Sequence, residues 1–451
     1  MNNTHGASAV VDTTLTKPTV NFEDAPASLF HWRVAIAGTG GQFSDGFVLG
    51  IIGLALTLAA PQLHLDAFWM GILGAASLAG LCVGSLFAGA LVDKIGRKML
   101  FNYDMVLFAV ISISQFWVEH AWHLLIIRVL LGLTLGLDYV VSKALVIEYA
   151  PKRWRGRMLS GLAIAWALGY ACAYILGYFL KDHGPDIWRV MLATSAIPSL
   201  IALALRFNIP ESPLWLQRKG RVQEANELVA KHLGDHVVLP RPAETTTAGG
   251  RERLLSRKWG RNLFIAGFFY MCLVIPYFAL GTFSPLVFQS LNITDKFLGG
   301  LVYNVFLVLG TILGAVLVDR ISRRVFLIGG FFIGAALLTC MTFSTTLPSY
   351  VIIGCFALFA FILSGTNNLC FVYPGELFPT SIRATALGVA TAISRLGSAA
   401  STFIFPTIVA SFGGQFAVLL CVAVLLIGGV VCALWAPETR HASMGAVNSE
   451  R

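Results

Sequence analysis

Charged side chains are scarce in this chain. They make up 12% of its 451 residues against 57% hydrophobic ones, and the mean hydropathy is +0.76. So few ionic groups cannot solvate the surface of a water-soluble chain of this length, so a soluble enzyme or soluble binding domain is excluded. Histidine is absent from the interior of the apolar runs. All nine (His5, His31, His64, His120, His123, His183, His232, His236 and His441) fall in loops or at run ends, which leaves an intramembrane enzyme or metal centre without its usual side chains. The eight cysteines (Cys82, Cys172, Cys272, Cys340, Cys355, Cys370, Cys421 and Cys432) sit inside apolar runs with no CxxC pair, so they read as packing residues. No GxxxxGK[ST] phosphate loop occurs, which argues against ATP-driven work by this chain. The first thirty residues lack an apolar core, unlike a cleaved signal.

What fills the chain instead is a series of apolar runs, each long enough for the ~20 helical residues that cross a hydrocarbon core. Twelve are read, at about 33–60, 68–92, 100–118, 121–149, 157–180, 187–209, 262–290, 297–318, 325–344, 349–373, 384–410 and 414–436. Basic residues collect in alternate connections. Lys94, Arg97 and Lys98 follow helix 2; Lys152, Arg153, Arg155 and Arg157 follow helix 4; Arg320, Arg323 and Arg324 follow helix 8. The other connections hold essentially Lys181, Arg189 and Lys296. The net charge of +9 therefore serves topology rather than a nucleic-acid partner, and both termini are expected in the cytoplasm. The expected organisation is a disordered cytoplasmic tail over 1–32, a six-helix bundle over 33–209, a cytoplasmic connection over 210–261, a second six-helix bundle over 262–436 and a cytoplasmic tail over 437–451. Within the connection, Arg221 to Leu233 has helical apolar spacing and Pro240 to Gly250 reads as loop; the segment is expected to be mainly a solvated tether.

Two motifs recur in register. LVDKIGRK at 91–98 returns as LVDRISRR at 317–324, which puts Asp319 226 residues after Asp93. Glu148, Pro151 and Arg155 return as Glu376, Pro379 and Arg383, with Glu376 228 residues after Glu148. One offset for two motifs, each at the same place in its half, implies a duplicated six-helix unit.

On these residues the chain resembles the major facilitator superfamily. GALVDKIGRK at 89–98 looks like its signature loop, and Arg128 with Gly132 looks like its second motif. IPESPLWL at 209–216 and PETR at 437–440 are similar to endings in the sugar-porter, organic-ion and phosphate-symporter branches. The resemblance implies an all-α membrane protein, with twelve transmembrane helices in two pseudo-symmetric six-helix bundles around a central cavity. Asp93 and Asp319 are expected at cytoplasmic helix ends, facing the positive N-terminus of a neighbouring helix. Arg97 with Glu148 and Arg155, and Arg323 with Glu376 and Arg383, are expected as ionic latches that hold the two bundles together. Alternatively, these residues serve only as topology charges.

A charge at mid-bilayer costs ~2.5–3.5 kcal/mol even on the gentlest scale, so each one is a candidate site. Asp45 lies ~18 Å into helix 1 and Arg128 ~10 Å into helix 4 from the other side, so their depths match in a ~30 Å core. In sugar porters such an acid and arginine face each other and carry the coupled proton. The resemblance places that role on Asp45 and Arg128, although SDGF at 44–47 departs from the usual tyrosine-aspartate pattern; a static ion pair is the other reading. GLDYVVS at 136–142 is similar to a helix 4 run of phosphate:proton symporters with Val140 in place of proline, which makes Asp138 a second protonation site or a structural acid. Lys143 either meets substrate charge or snorkels to the interface.

YPGELFPTSIR at 373–383 resembles the helix 10–11 junction of organic-ion transporters, where an arginine at the position of Arg395 goes with anionic substrates. Deep bases Arg128, Lys143 and Arg395 also outnumber deep acids Asp45 and Asp138. Trp166, Tyr170 and Tyr174 on helix 5, Tyr270 and Tyr277 on helix 7, and Tyr303, Asn304, Asn367 and Asn368 could complete a pocket or simply pack helices. Sugar porters carry paired glutamines in helix 7 and a glutamine in helix 5, and neither is present, which disfavours a hexose. The expected function is proton-coupled uptake of a small organic anion, an aromatic or aliphatic carboxylate. A sugar or phosphate symporter, a drug/proton antiporter and a non-transporting membrane sensor are the alternatives. No cofactor and no metal are expected, and the partners are the anion, protons and membrane lipid around a monomer.

Overall fold

The computed structural model describes residues 20–239, 257–291, 293, 296–318, 320–343, 347–378 and 380–439. Among them, twelve helices are long and apolar enough to cross a membrane. They are α1 (Leu29–Leu63), α2 (Ala67–Ile95), α3 (Arg97–Ser114), α4 (Ala121–Tyr149), α5 (Lys152–Leu180) and α6, broken into Ile187–Ala193 and Ala196–Arg206. After the central connection come α7 (Arg257–Thr282), α8 (Lys296–Leu317), α9 (Arg323–Met341), α10 (Ser349–Asn367, continued by Leu369–Glu376), α11 (Thr380–Phe412) and α12 (Gly414–Trp435).

Local chemistry fixes several of the ends. Ser28 and His31 form a capping box at the start of α1, Asp66 accepts from the Trp69 N–H at the start of α2, and Ser322 caps α9. His64 ends α1 in the left-handed region at φ 50°.

Packing repeats as the sequence does. In the first half α2 lies on α4, α1 on α5 and α3 on α6; in the second, α8 lies on α10, α7 on α11 and α9 on α12. The seam between the halves is made by α2 against α11 and α5 against α8. It closes tightly on the side where α1 ends and α2 begins. There Gly53 of α1 meets the Thr282 carbonyl and Gly71 of α2 meets the Phe403 carbonyl, and a Cβ at either position would overlap that oxygen.

Two expectations, one about the N-terminal tail and one about the central connection, need correction. The tail over 1–32 is not disordered throughout, because Val20–Asn21 pairs in parallel with Val237–Val238 and α1 begins at Leu29. The central connection is also more than a tether. Its helices Pro213–Arg218 and Val222–Leu233 bury Trp215, Leu216, Ala225 and Val229 in a cluster with Phe22, Phe101 and Tyr149. Burying this apolar face stabilises the segment by about 25 cal/mol per Å², which a solvated loop would forgo. Residues 1–19, the stretch from Pro240 to Gly250 expected as loop, and the residues beyond Thr439 lie outside the described residues.

Candidate functional site: a cationic cavity on the seam

The charge repeats organise the face where α1 begins and α12 ends, here called the basic face. Glu211 accepts from the backbone N–H groups of Arg97 and Lys98 at the start of α3, at 2.9 and 3.1 Å. Glu438 does the same for Arg323 and Arg324 at the start of α9, both at 3.2 Å. Each carboxylate thus satisfies open helix donors and meets the positive end of the helix dipole. Arg97 pairs with Glu148 at 3.1 Å and Arg323 with Glu376 at 3.3 Å.

In this state each of these pairs joins two helices of the same half rather than the two bundles. Arg155 donates to the Ala150 carbonyl at 3.2 Å, and Arg218 from the central connection is the second partner of Glu148 at 2.7 Å. Asp319 and the side chains of Asp93 and Arg383 lie outside the described residues.

At mid-membrane a cavity opens along the seam. It spans about 560 Å³ of space between atoms, part of it open to solvent. Arg395 of α11, 5% exposed, lines it together with Tyr139, Trp166, Tyr277, Asn367 and Gln42. Its Nη2 donates to the Tyr139 hydroxyl at 3.2 Å, and the guanidinium lies 5.3 Å from the Tyr139 ring and 5.8 Å from the Phe278 ring. The Arg395 Nε is buried with no hydrogen-bond partner, and among the described residues no carboxylate pairs with this guanidinium. Trp166, Tyr170 and Tyr277 pack together with centroids 5.4–6.4 Å apart, Trp166 stacked on Tyr170 and Tyr277 tilted against both.

Other expected pocket residues stand elsewhere. Tyr170 is packed behind Trp166 and Tyr277, and Tyr174, one turn farther along α5, donates to the Phe297 carbonyl at 3.3 Å across the seam. Asn304 donates to its own helix at Gly300. Lys143 lies with Nζ 3.3 Å over the Tyr139 ring, which Arg395 also approaches, and it is not among the cavity-lining residues.

The expected Asp45–Arg128 pair is not formed. Arg128, fully buried, donates Nη2 to the Val48 carbonyl at 3.2 Å, one turn beyond Asp45 on α1. Asp45 accepts from Gln42 at 3.1 Å and faces Asp138, Arg206 and Asp104. Arg206 is the partner of Asp138 at 2.5 Å and of Asp104 at 2.9 Å. Neither Asp104 nor Arg206 stands out in the sequence, because both lie within a turn or so of an expected span end, where a charge is cheap.

Residues 34–450 match the family model described as sugar (and other) transporter. The chain belongs to that family. It is accordingly a multi-pass membrane transporter of the major facilitator type, not an enzyme. It is 38% identical over 421 residues to the inner membrane metabolite transport protein YgcS of Escherichia coli (strain K12), covering 93% of this chain and 94% of that one. To the niacin transporter NiaP of Acinetobacter baylyi it is 27% identical over 438 residues, covering 94% and 98%. Among solved structures it matches the partially occluded inward-open conformation of the xylose transporter XylE from E. coli. That match has a TM-score of 0.79 and 20% identity, covers 92% of this chain and 100% of that one, and bears on the fold.

Proposed function

We propose that this transporter carries a small organic anion, an aromatic or aliphatic carboxylate, into the cell together with a proton, across an inner membrane whose cytoplasmic side is the basic face. The observation that carries the reading is Arg395, a buried guanidinium on the cavity wall with no carboxylate partner among the described residues. A cation left without a counter-ion in a low-dielectric site is costly, and a bound anion relieves that cost. The fork of the guanidinium suits a carboxylate, and the flanking rings of Tyr139, Trp166 and Tyr277 suit a flat apolar body. A neutral sugar would leave the guanidinium without a counter-charge. The relative named for niacin, a pyridine carboxylic acid, supports the same class.

Purified protein in proteoliposomes, with an inward proton gradient and labelled nicotinate or benzoate, tests it. Accumulation that collapses with a protonophore is the expected result. Uptake of xylose with no uptake of either carboxylate would overturn the reading.

A further inference from the structure

Beneath the cavity, four helices bring three carboxylates to one guanidinium. Asp45 comes from α1, Asp104 from α3, Asp138 from α4 and Arg206 from α6, and all are buried to 2% exposure or less. Asp138 Oδ1 accepts from Arg206 and from the Ser142 hydroxyl, the latter at 2.8 Å. Arg206 is held in place by Asp104, by the Phe101 carbonyl at 2.5 Å and by the Phe101 ring 3.8 Å beneath it. Gly41 makes the room, since a Cβ there would overlap both Arg206 Nη2 and Asp138 Oδ2.

The arrangement lacks hydrogen-bond donors. Asp104 and Asp138 share the Arg206 guanidinium, and Asp45 lies one turn along α1 from Gly41, which faces Arg206 Nη2 and Asp138 Oδ2. Asp45 Oδ1, Asp104 Oδ2 and Asp138 Oδ2 are buried without any partner. Ionised carboxylates only accept, so neighbouring carboxylates can hydrogen-bond to each other only if a proton sits between them. Charge balance agrees. Three carboxylates face Arg206 and, from α4, Lys143, so full ionisation leaves an uncompensated negative charge in a dry site. Arg128 does not supply the balance, because it is turned to Val48.

Gln42 connects this cluster to the cavity. It lines the cavity and donates to Asp45 Oδ2. We infer that Asp45, Asp138 and Asp104 form one proton-holding unit, organised by Arg206 and joined to the cavity by Gln42; this rests on the proposed proton-coupled transport. Loading adds a proton from cavity water to a carboxylate oxygen, and release returns it to water, with no other bond changed. Arg206 is the fixed counter-charge, so it is a positioning residue.

Infrared spectroscopy of the full-length protein in lipid vesicles reads the proton directly, without a substrate. Wild type is expected to show a protonated-carboxyl band at neutral pH that shifts in heavy water. Asp45→Asn and Asp138→Asn are each expected to remove roughly half of it or more, since the titration belongs to the group. Glu148→Gln, outside the cluster, leaves it unchanged. No such band at neutral pH, or a band untouched by Asp45→Asn, Asp104→Asn and Asp138→Asn, would overturn the inference.

Gln42→Ala keeps all four charged groups and guards against misfolding. The band is expected to persist while gradient-driven accumulation of nicotinate falls by about tenfold relative to nicotinate counterflow. Equal loss of both would remove Gln42 from the link. If no carboxylate is carried at all, the anion reading fails and the infrared result alone decides the proton site.

Discussion

At the scale of single residues, Arg395 carries the largest share of the functional argument. Its bond to Tyr139 leaves Nε open, so a carboxylate in the cavity can take the fork that the protein does not fill. Arg395→Ala is expected to weaken binding of the cognate acid by about tenfold or more, since each ~1.4 kcal/mol is one decade and a charge-assisted pair is worth at least that. Arg395→Lys recovers part of the loss, because an ammonium lacks the fork. The amide of the same acid binds wild type poorly and barely responds. Calorimetry with acid and amide on the three proteins checks this, and equal losses for both ligands would mean that Arg395 only holds α11 in place. Depth along an apolar run made Arg395 legible in the sequence. The same rule hid Asp104 and Arg206, which sit near span ends and reveal themselves only when α3, α4 and α6 converge. It also misled over Arg128, because equal depth does not fix which way a side chain turns around its helix.

At the scale of elements, the repeat in the sequence became a repeat of helix caps. LVDKIGRK and LVDRISRR were readable as a pair, but their third member was not, because Glu211 and Glu438 lie in endings far from the loops they serve. Both carboxylates cap the helix that begins inside the motif. Removing such a cap costs about 0.5–2 kcal/mol, and the dipole adds a few tenths for a charged acceptor. Glu211→Ala and Glu438→Ala are therefore expected to lower the thermal midpoint in detergent by similar amounts. Glu211→Gln falls between, since an amide oxygen still accepts but carries no charge. Glu224→Ala serves as control, because its partner Arg221 is a neighbour on an exposed surface where ion pairs contribute little. Loss at Glu211 without loss at Glu438 would show that the halves are not energetically equivalent.

At the scale of the whole molecule, buried charge and seam geometry describe one machine state. The cation Arg395 sits on the cavity wall, while the buried carboxylates Asp45, Asp104 and Asp138 gather around a different guanidinium, Arg206. The glycine crossings at Gly53 and Gly71 seal the seam away from the basic face, and the cavity residues lie on the basic side of that seal. Carbonyl oxygens take the place where a side chain would be, so the closure depends on the missing Cβ. A bulky residue at Gly53 blocks this closure without touching the cavity, and alternation between two access states then shifts toward the one open on the other face. Ala163, on the cavity wall, is the reporter. With Cys172, Cys340 and Cys355 replaced by serine, Ala163→Cys is expected to react with a membrane-impermeant maleimide from the basic face and to be protected from the other. Adding Gly53→Leu should reverse that preference, because Thr282 can no longer approach α1. Vesicles of both orientations measure the two rates. Reactivity from the basic face that is unchanged by Gly53→Leu would mean that the crossing of α1 and α7 does not form the seal.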